Sequence, residues 1–159
     1  MADEHEHFWE IIGGMSVCMV TTVDDGIIRS RPMVPYVDPA KRTIHFMTDS
    51  GSAKIFEIKD ETDMALNFAD TGQMLFASVS AKGSVTQDQK LIDQMWGPYA
   101  EVFFGSDPKE ADVTIIKATP VQAEYWDNNK NSLIIAAEMT KAYFTDEGPN
   151  LGTNAKLDF

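Results

Sequence analysis

The feature that most constrains this chain is a succession of β-branched and apolar runs broken by short turn signals, with no long helical stretch between them. Met15 to Val23 is followed by Asp24-Asp25-Gly26 and then by Ile27 to Val37, while Asp38-Pro39-Ala40-Lys41 leads into Thr43 to Thr48. Asp, Gly and Pro at such breaks favour the φ values that tight turns need, so each break reverses the chain. Met64 to Ala69 and Met74 to Val85 form a further hairpin through Asp70-Thr71-Gly72-Gln73. Val113 to Trp126 and Leu133 to Phe144, separated by Asp127 to Asn131, are expected to form the closing one. Roughly seven antiparallel strands without βαβ alternation point to a mainly β fold, a barrel whose closure removes exposed edges.

Short helices complete the expectation. Phe8 to Gly13 reads as a helix stopped at Gly13-Gly14, and Ala53 to Lys59 as one capped by Ser52. Gln87 to Trp96 carries Leu91, Ile92, Met95 and Trp96 on one side and ends at Gly97-Pro98; Tyr99 to Phe104 suits one more turn. The 159 residues are enough for one core, so a single domain over residues 1–148 is expected. Residues 149–159 are polar and Gly/Asn-rich, and read as a mobile tail unless a partner subunit pins them.

Charge narrows the function. A formal net charge of −12 disfavours nucleic acid, whose phosphate backbone is held by a Lys/Arg surface. No apolar run approaches the roughly 18 to 20 residues of a membrane span, and Met1 to Glu10 has no basic, cleavable character, so a cytoplasmic location is expected. Cys18, the single cysteine, lies in an apolar strand and reads as a structural thiol. His5-Glu6-His7 reads as solvated tail, not a metal site, because no third ligand accompanies it. No nucleophile–His–acid constellation is visible, and His45 stands alone in a strand.

The stretch richest in possible chemistry is Arg31-Pro32-Met33 on one strand, followed by Phe46-Met47-Thr48-Asp49-Ser50-Gly51-Ser52-Ala53-Lys54. A helix N-terminus favours an anion, Ser52 adds a hydroxyl donor, Lys54 a mobile cation and Arg31 a fork of donors. These residues therefore suit a phosphate group. They also suit a plainer reading: Ser52 caps a helix, Lys54 solvates its first turn, and Arg31 pairs with a carboxylate.

The order Arg31-Pro32-Met33, then Phe46-x-Thr48-x-x-x-Ser52-x-Lys54, resembles the pyridoxamine phosphate oxidase superfamily, and the chain from Phe8 to Phe144 looks most like its general stress protein branch. Thr21 to Gly26, Val79 to Gly83, Leu91 to Trp96 and Ala123 to Asp127 carry the rest of the likeness. The resemblance implies a split β-barrel, antiparallel with short peripheral helices, that binds FMN in a homodimer. By position, Arg31 and Lys54 match ligands of the FMN phosphate with Ser52 beside them. Pro32 and Met33 match the strand along the flavin ring, Met47 and Thr48 the next strand's contacts, and Trp126 an aromatic reaching FMN from the other subunit. Deazaflavin would share much of this site.

The departures bear on activity. True pyridoxamine phosphate oxidases hold substrate with an Arg-x-His motif after the matching tryptophan; here the stretch reads Asn131-Ser132-Leu133-Ile134. Phe76 stands where those oxidases carry a cofactor-binding Gln. The expectation is therefore an FMN-dependent oxidoreductase acting with a small electron donor or acceptor, with no residue assignable as acid or base and without the parent substrate. The alternative is a flavin-sequestering stress protein without turnover. Trp96, Phe103 and Phe104 could cover a flavin face, although an aromatic stripe on a helix is more often core.

Overall fold

A computed structural model describes residues 3–52, 58 and 62–159. Among them the chain forms eight strands and four helices. Helix α1 (Glu4–Gly13) starts behind Asp3, whose carboxylate accepts the His5 N–H at 3.3 Å. It buries Phe8, Trp9, Ile11 and Ile12. The helix begins four residues before Phe8 and takes in His5-Glu6-His7, which the sequence reading assigned to a solvated tail. Tertiary contacts hold that segment: His7 Nε2 hydrogen-bonds Asp127 Oδ2 at 2.9 Å, and the His5 ring lies edge-on to Phe159.

Strands β1 (Cys18–Asp24) and β2 (Ile27–Met33) form a hairpin about Asp25 and Gly26, with φ of 48° and 77°. Glycine takes such a value without the Cβ penalty. The expected single strand Ile27 to Val37 is broken at Val34-Pro35, because proline has no N–H to donate and keeps its neighbour out of regular pairing. β3 (Tyr36–Asp38) follows and pairs with β4 (Thr43–Asp49). β5 (Thr62–Asp70), β6 (Leu75–Thr86), α2 (Gln89–Met95), α3 (Pro98–Phe104), β7 (Val113–Asp127), α4 (Ser132–Phe144) and β8 (Thr153–Asp158) complete the chain.

The strand order is β2-β1-β5-β6-β7-β4-β3, with β8 also on β7 and every pairing antiparallel. β2 and β3 stand at opposite ends of that order, yet only Val34 and Pro35 join them. The sheet must therefore curl round until its ends are neighbours. Inside lie Phe8, Val20, Phe46, Leu66, Val79 and Ile116, all fully buried, each contributing roughly 1.5 to 3 kcal/mol. On the outer side of β4 and β7, α2 and α3 cover a smaller cluster around Ile92, Val113 and Ile115.

Two expectations are corrected. Leu133 to Phe144 is not a closing strand but helix α4, capped by Asn131, whose side chain accepts the Leu133 N–H at 2.9 Å. Ala136, Ala137, Glu138 and Lys141 favour helix, and the pairing position beside β7 is already taken. β8 occupies it, from Asp127↔Thr153 to Gln122↔Asp158. The C-terminal segment expected as a mobile tail thus forms a strand, burying Ala155 and Leu157 and packing the Phe159 ring, tilted to Phe8 and edge-on to Trp9, at centroid distances of 5.5 and 5.8 Å. The expected helix Ala53 to Lys59 lies largely outside the described residues.

Cys18 is fully buried in β1, and burial pushes its thiol from 9.0 up to about 12. Because the folded value lies above the unfolded one, this group's contribution to stability is complete below about pH 9 and fades as pH rises toward 12. Ellman's reagent at pH 8 is expected to leave native protein unlabelled and to titrate one thiol per chain in denaturant. Rapid labelling of the native form would contradict the burial.

Candidate functional site

The curl of the sheet brings β2 and β4 together. Pro32 and Met33 from β2 and Met47 from β4 line one cavity of about 260 Å³, faced by Tyr99, Phe103 and Phe104 from α3. These side chains are apolar or aromatic. Among the described residues, only Tyr36 and Tyr99 bring a titratable group to the wall. The cavity can accept a flat, apolar ring system, and its described lining residues supply no carboxylate, imidazole or amine to move a proton.

One residue before this cavity along β2, Arg31 is half-buried and its Nη1 donates to Thr22 Oγ1 at 2.5 Å. At the far end of β4 the turn is tightly tied: Asp49 Oδ1 accepts the Gly51 N–H at 2.8 Å, and the Asp49 carbonyl accepts the Ser52 N–H at 3.1 Å. Thr48 Oγ1 and Ser52 Oγ lie 3.3 Å apart, which aligns two hydroxyls at the start of the next segment. Lys54 lies outside the described residues. The arrangement offers a guanidinium on β2, hydroxyls after β4, and an apolar slot reached from both strands.

Trp126 is not part of this grouping. It lies on β7 between Phe76 of β6 and Asn154 of β8. Met47 pairs with Ile115, eleven residues earlier on the same strand, a contour of roughly 35 Å at the usual strand rise. Trp126 does not line the cavity. Trp96 packs with Ile92, Val113 and Ile115, consistent with a core role, while Phe103 and Phe104 form cavity wall. The Trp96 Nε1–H is buried with no acceptor among the described residues. Tyr36 and Tyr99 as wall residues escaped the sequence reading, since their placement depends on how the sheet ends meet.

Over residues 3–150 the chain matches the family described as pyridoxamine 5'-phosphate oxidase like. The chain belongs to this family. Among curated proteins, Protein bli-3 of Neurospora crassa is 25% identical over 138 residues, covering 80% of this chain. The chain spans 66% of the length of that relative. Among solved structures, a candidate general stress protein 26 from Jannaschia sp. CCS1 superposes with a TM-score of 0.82 at 26% identity, covering 100% of both chains. The general stress FMN/FAD binding protein of Xanthomonas citri has a TM-score of 0.69 at 24% identity, covering 80% of this chain and 90% of the other. General stress protein 26 of Bacillus anthracis has a TM-score of 0.69 at 20% identity, covering 77% of this chain and 92% of the other. The family and the general stress branch read from the motifs are thus recovered, and so is the antiparallel fold with short helices.

Proposed function

We propose that this member of the family binds FMN in a split barrel and acts as an oxidoreductase on a small molecule, with two sites in a homodimer. The observation that carries the reading is the meeting of β2 and β4. That meeting brings Pro32, Met33 and Met47 to one apolar cavity; Arg31 and Thr48 are their neighbours along the two strands, and the Ser52 hydroxyl lies 3.3 Å from that of Thr48. A phosphorylated flavin needs that combination: cationic and hydroxyl donors for a dianion, and an apolar slot for a flat ring. Lys54, two residues beyond Ser52, adds the second cation by position in sequence.

Within that reading, this chain's residues bind and orient. Arg31, Ser52 and Lys54 hold the phosphate; Pro32, Met33 and Met47 lie along the ring, and the α3 aromatics exclude water from it. Flavin, when bound, supplies the redox chemistry, and the protein supplies position and electrostatics. Trp126 joins such a site only from a second copy, given its distance along β7. Helix α4 supports the assembly: Leu133, Ile134, Met139, Tyr143 and Phe144 are all exposed, and α4 buries no residue in the single chain. Apolar patches of this kind mark protein interfaces.

One observation favours binding without turnover. Among the described residues lining the cavity there is no carboxylate, histidine or lysine, and the Asn131 to Ile134 stretch lacks the charged pair of the parent oxidases. Steady-state NADH or NADPH oxidation faster than that of free FMN excludes the sequestering role; its absence favours it.

The test of flavin binding is an absorbance spectrum after saturation with FMN and desalting, with the mass in solution measured alongside. The expected result is the visible flavin bands at about one FMN per chain in a particle of twice the chain mass. Retention of a deazaflavin in preference to FMN would change the cofactor but keep the site. A colourless protein that gives no titration signal with either would end the reading.

A further inference from the structure

Strand β4 sends Thr43, His45 and Met47 to the side that faces away from the main core. Met47 reaches the apolar cavity. Two and four residues earlier, His45 and Thr43 border a different cleft of about 840 Å³, walled by β7, the end of β6 and helix α2. Its character is polar. Lys41, Lys90 and Lys117 reach it from three separate segments, with Ser84, Thr86 and Gln94 adding hydroxyl and amide groups.

Three of the thirteen basic residues thus line one cleft of a chain whose net charge is −12. Two acids lie close by, and each already accepts from or pairs with a neighbouring group. Asp88 is itself part of the wall, its carboxylate capping α2 by accepting the Lys90 N–H at 3.1 Å, and Asp38 lies 3.8 Å from the Lys41 ammonium. Among the described residues no carboxylate lies within ion-pairing distance of Lys90 or Lys117. Lys117 sits in the middle of a cross-strand row, opposite His45 on one side and Ser84 on the other.

A second observation is independent of charge. His45 is 3% exposed and Thr43 5% exposed, and His45 Nδ1 and Thr43 Oγ1 are buried with no hydrogen-bond partner among the described residues. Buried polar groups are ordinarily paired, so two orphans bordering one cleft signal a missing partner. Burial depresses the His45 pKa; Lys117 and Lys41 depress it further, and Asp38 opposes them. The ring is therefore neutral near pH 7 and keeps both an N–H donor and a lone pair.

We propose that this cleft binds a small polyanion of the organic di- or triphosphate class, at a site separate from the flavin-phosphate residues Arg31, Ser52 and Lys54. Three ammonium groups spread around so large a cleft match several phosphoryl groups better than one. Among the described residues of its walls, Leu91 is the single apolar side chain, which disfavours an apolar ligand. The two cavities lie about 7 Å apart along β4, and Gln94 and Met95 line one each, so occupancy of the polar cleft sits beside the ring slot.

Inorganic pyrophosphate is the probe, titrated by calorimetry into the full chain with and without FMN. One site per chain is expected, weakened at least tenfold in Lys90→Gln/Lys117→Gln while FMN affinity stays within about twofold. In the unmutated protein, NMR titration of the His45 ring should show its pKa rising when pyrophosphate is added, a readout that does not depend on a variant. Three results overturn the proposal: no binding by the unmutated chain at millimolar pyrophosphate, equal binding by the double variant, or competitive displacement of FMN by pyrophosphate. A chain that takes pyrophosphate but no flavin leaves the proposal standing and removes the flavin reading alone.

Discussion

Replacing Arg31 and Lys54 together with alanine is expected to raise the Kd for FMN by about 10² to 10⁴-fold. Charge-assisted hydrogen bonds each contribute roughly 1.5 to 3 kcal/mol, so losing two costs about 3 to 6 kcal/mol, and every 1.4 kcal/mol is about tenfold. Flavin fluorescence titration reads the affinity directly. Arg31 also bonds Thr22 in the neighbouring strand, so its loss touches the fold as well as the ligand. Arg31→Lys separates the two effects: it keeps the charge but removes the planar fork, and should fall between the wild type and alanine. An unchanged FMN affinity in the double variant would move the phosphate elsewhere in the molecule.

The second large effect lies far from that site. Ending the chain after Gly148 is expected to lower the melting temperature by about 10 °C or more. The deletion removes β8, whose Leu157 and Ala155 are buried, and Phe159, which packs against Phe8 and Trp9. A buried leucine and a packed phenylalanine together stabilise by about 4 kcal/mol or more, and a chain of this size loses about 2 to 4 °C per kcal/mol. The deletion also bares the Gln122 to Asp127 edge of β7 and releases the Lys130 ammonium from Asn150. Thermal unfolding followed by circular dichroism decides it, with Leu157→Ala as the milder comparison. A truncated chain that melts with the full one would mean that β8 adds nothing to the core.

What the sequence made legible follows from local chemistry. The Asp24-Asp25-Gly26 turn, the Tyr99 to Phe104 helical turn and the Met64 to Ala69 strand each advertise themselves within a few residues, and those elements appear where expected. Helix α4 escaped because it buries nothing in the single chain: its apolar residues lie on all sides, so no helical stripe shows, and Leu133-Ile134-Ile135 reads like a strand. β8 escaped for the opposite reason. Ala155 and Leu157 alternate correctly, but Gly, Asn and Pro around them resemble a linker. Of the candidate site, Pro32, Met33 and Met47 come together in the fold; Trp126 stands apart on β7, and Lys54 lies outside the described residues. Lys90 and Lys117 come from segments of the chain far from Lys41 and His45, and only the completed sheet makes the three groups neighbours.

The middle of the sheet also has a history in time. β7 is the strand that unites the two halves, pairing with β6 on one side and β4 on the other, and its β4 partners lie 64 to 74 residues earlier, from Asp49↔Val113 to Ile44↔Ala118. As the chain leaves the ribosome, β4 and β6 are therefore made long before the segment that covers their open edges. Unpaired edges template the wrong partners, and long-range pairing is slow. The nascent chain passes through an interval, ending only once Asp127 has emerged, in which it is most exposed to association with its own copies. Its production in cells should accordingly depend on holding chaperones more than its small size suggests.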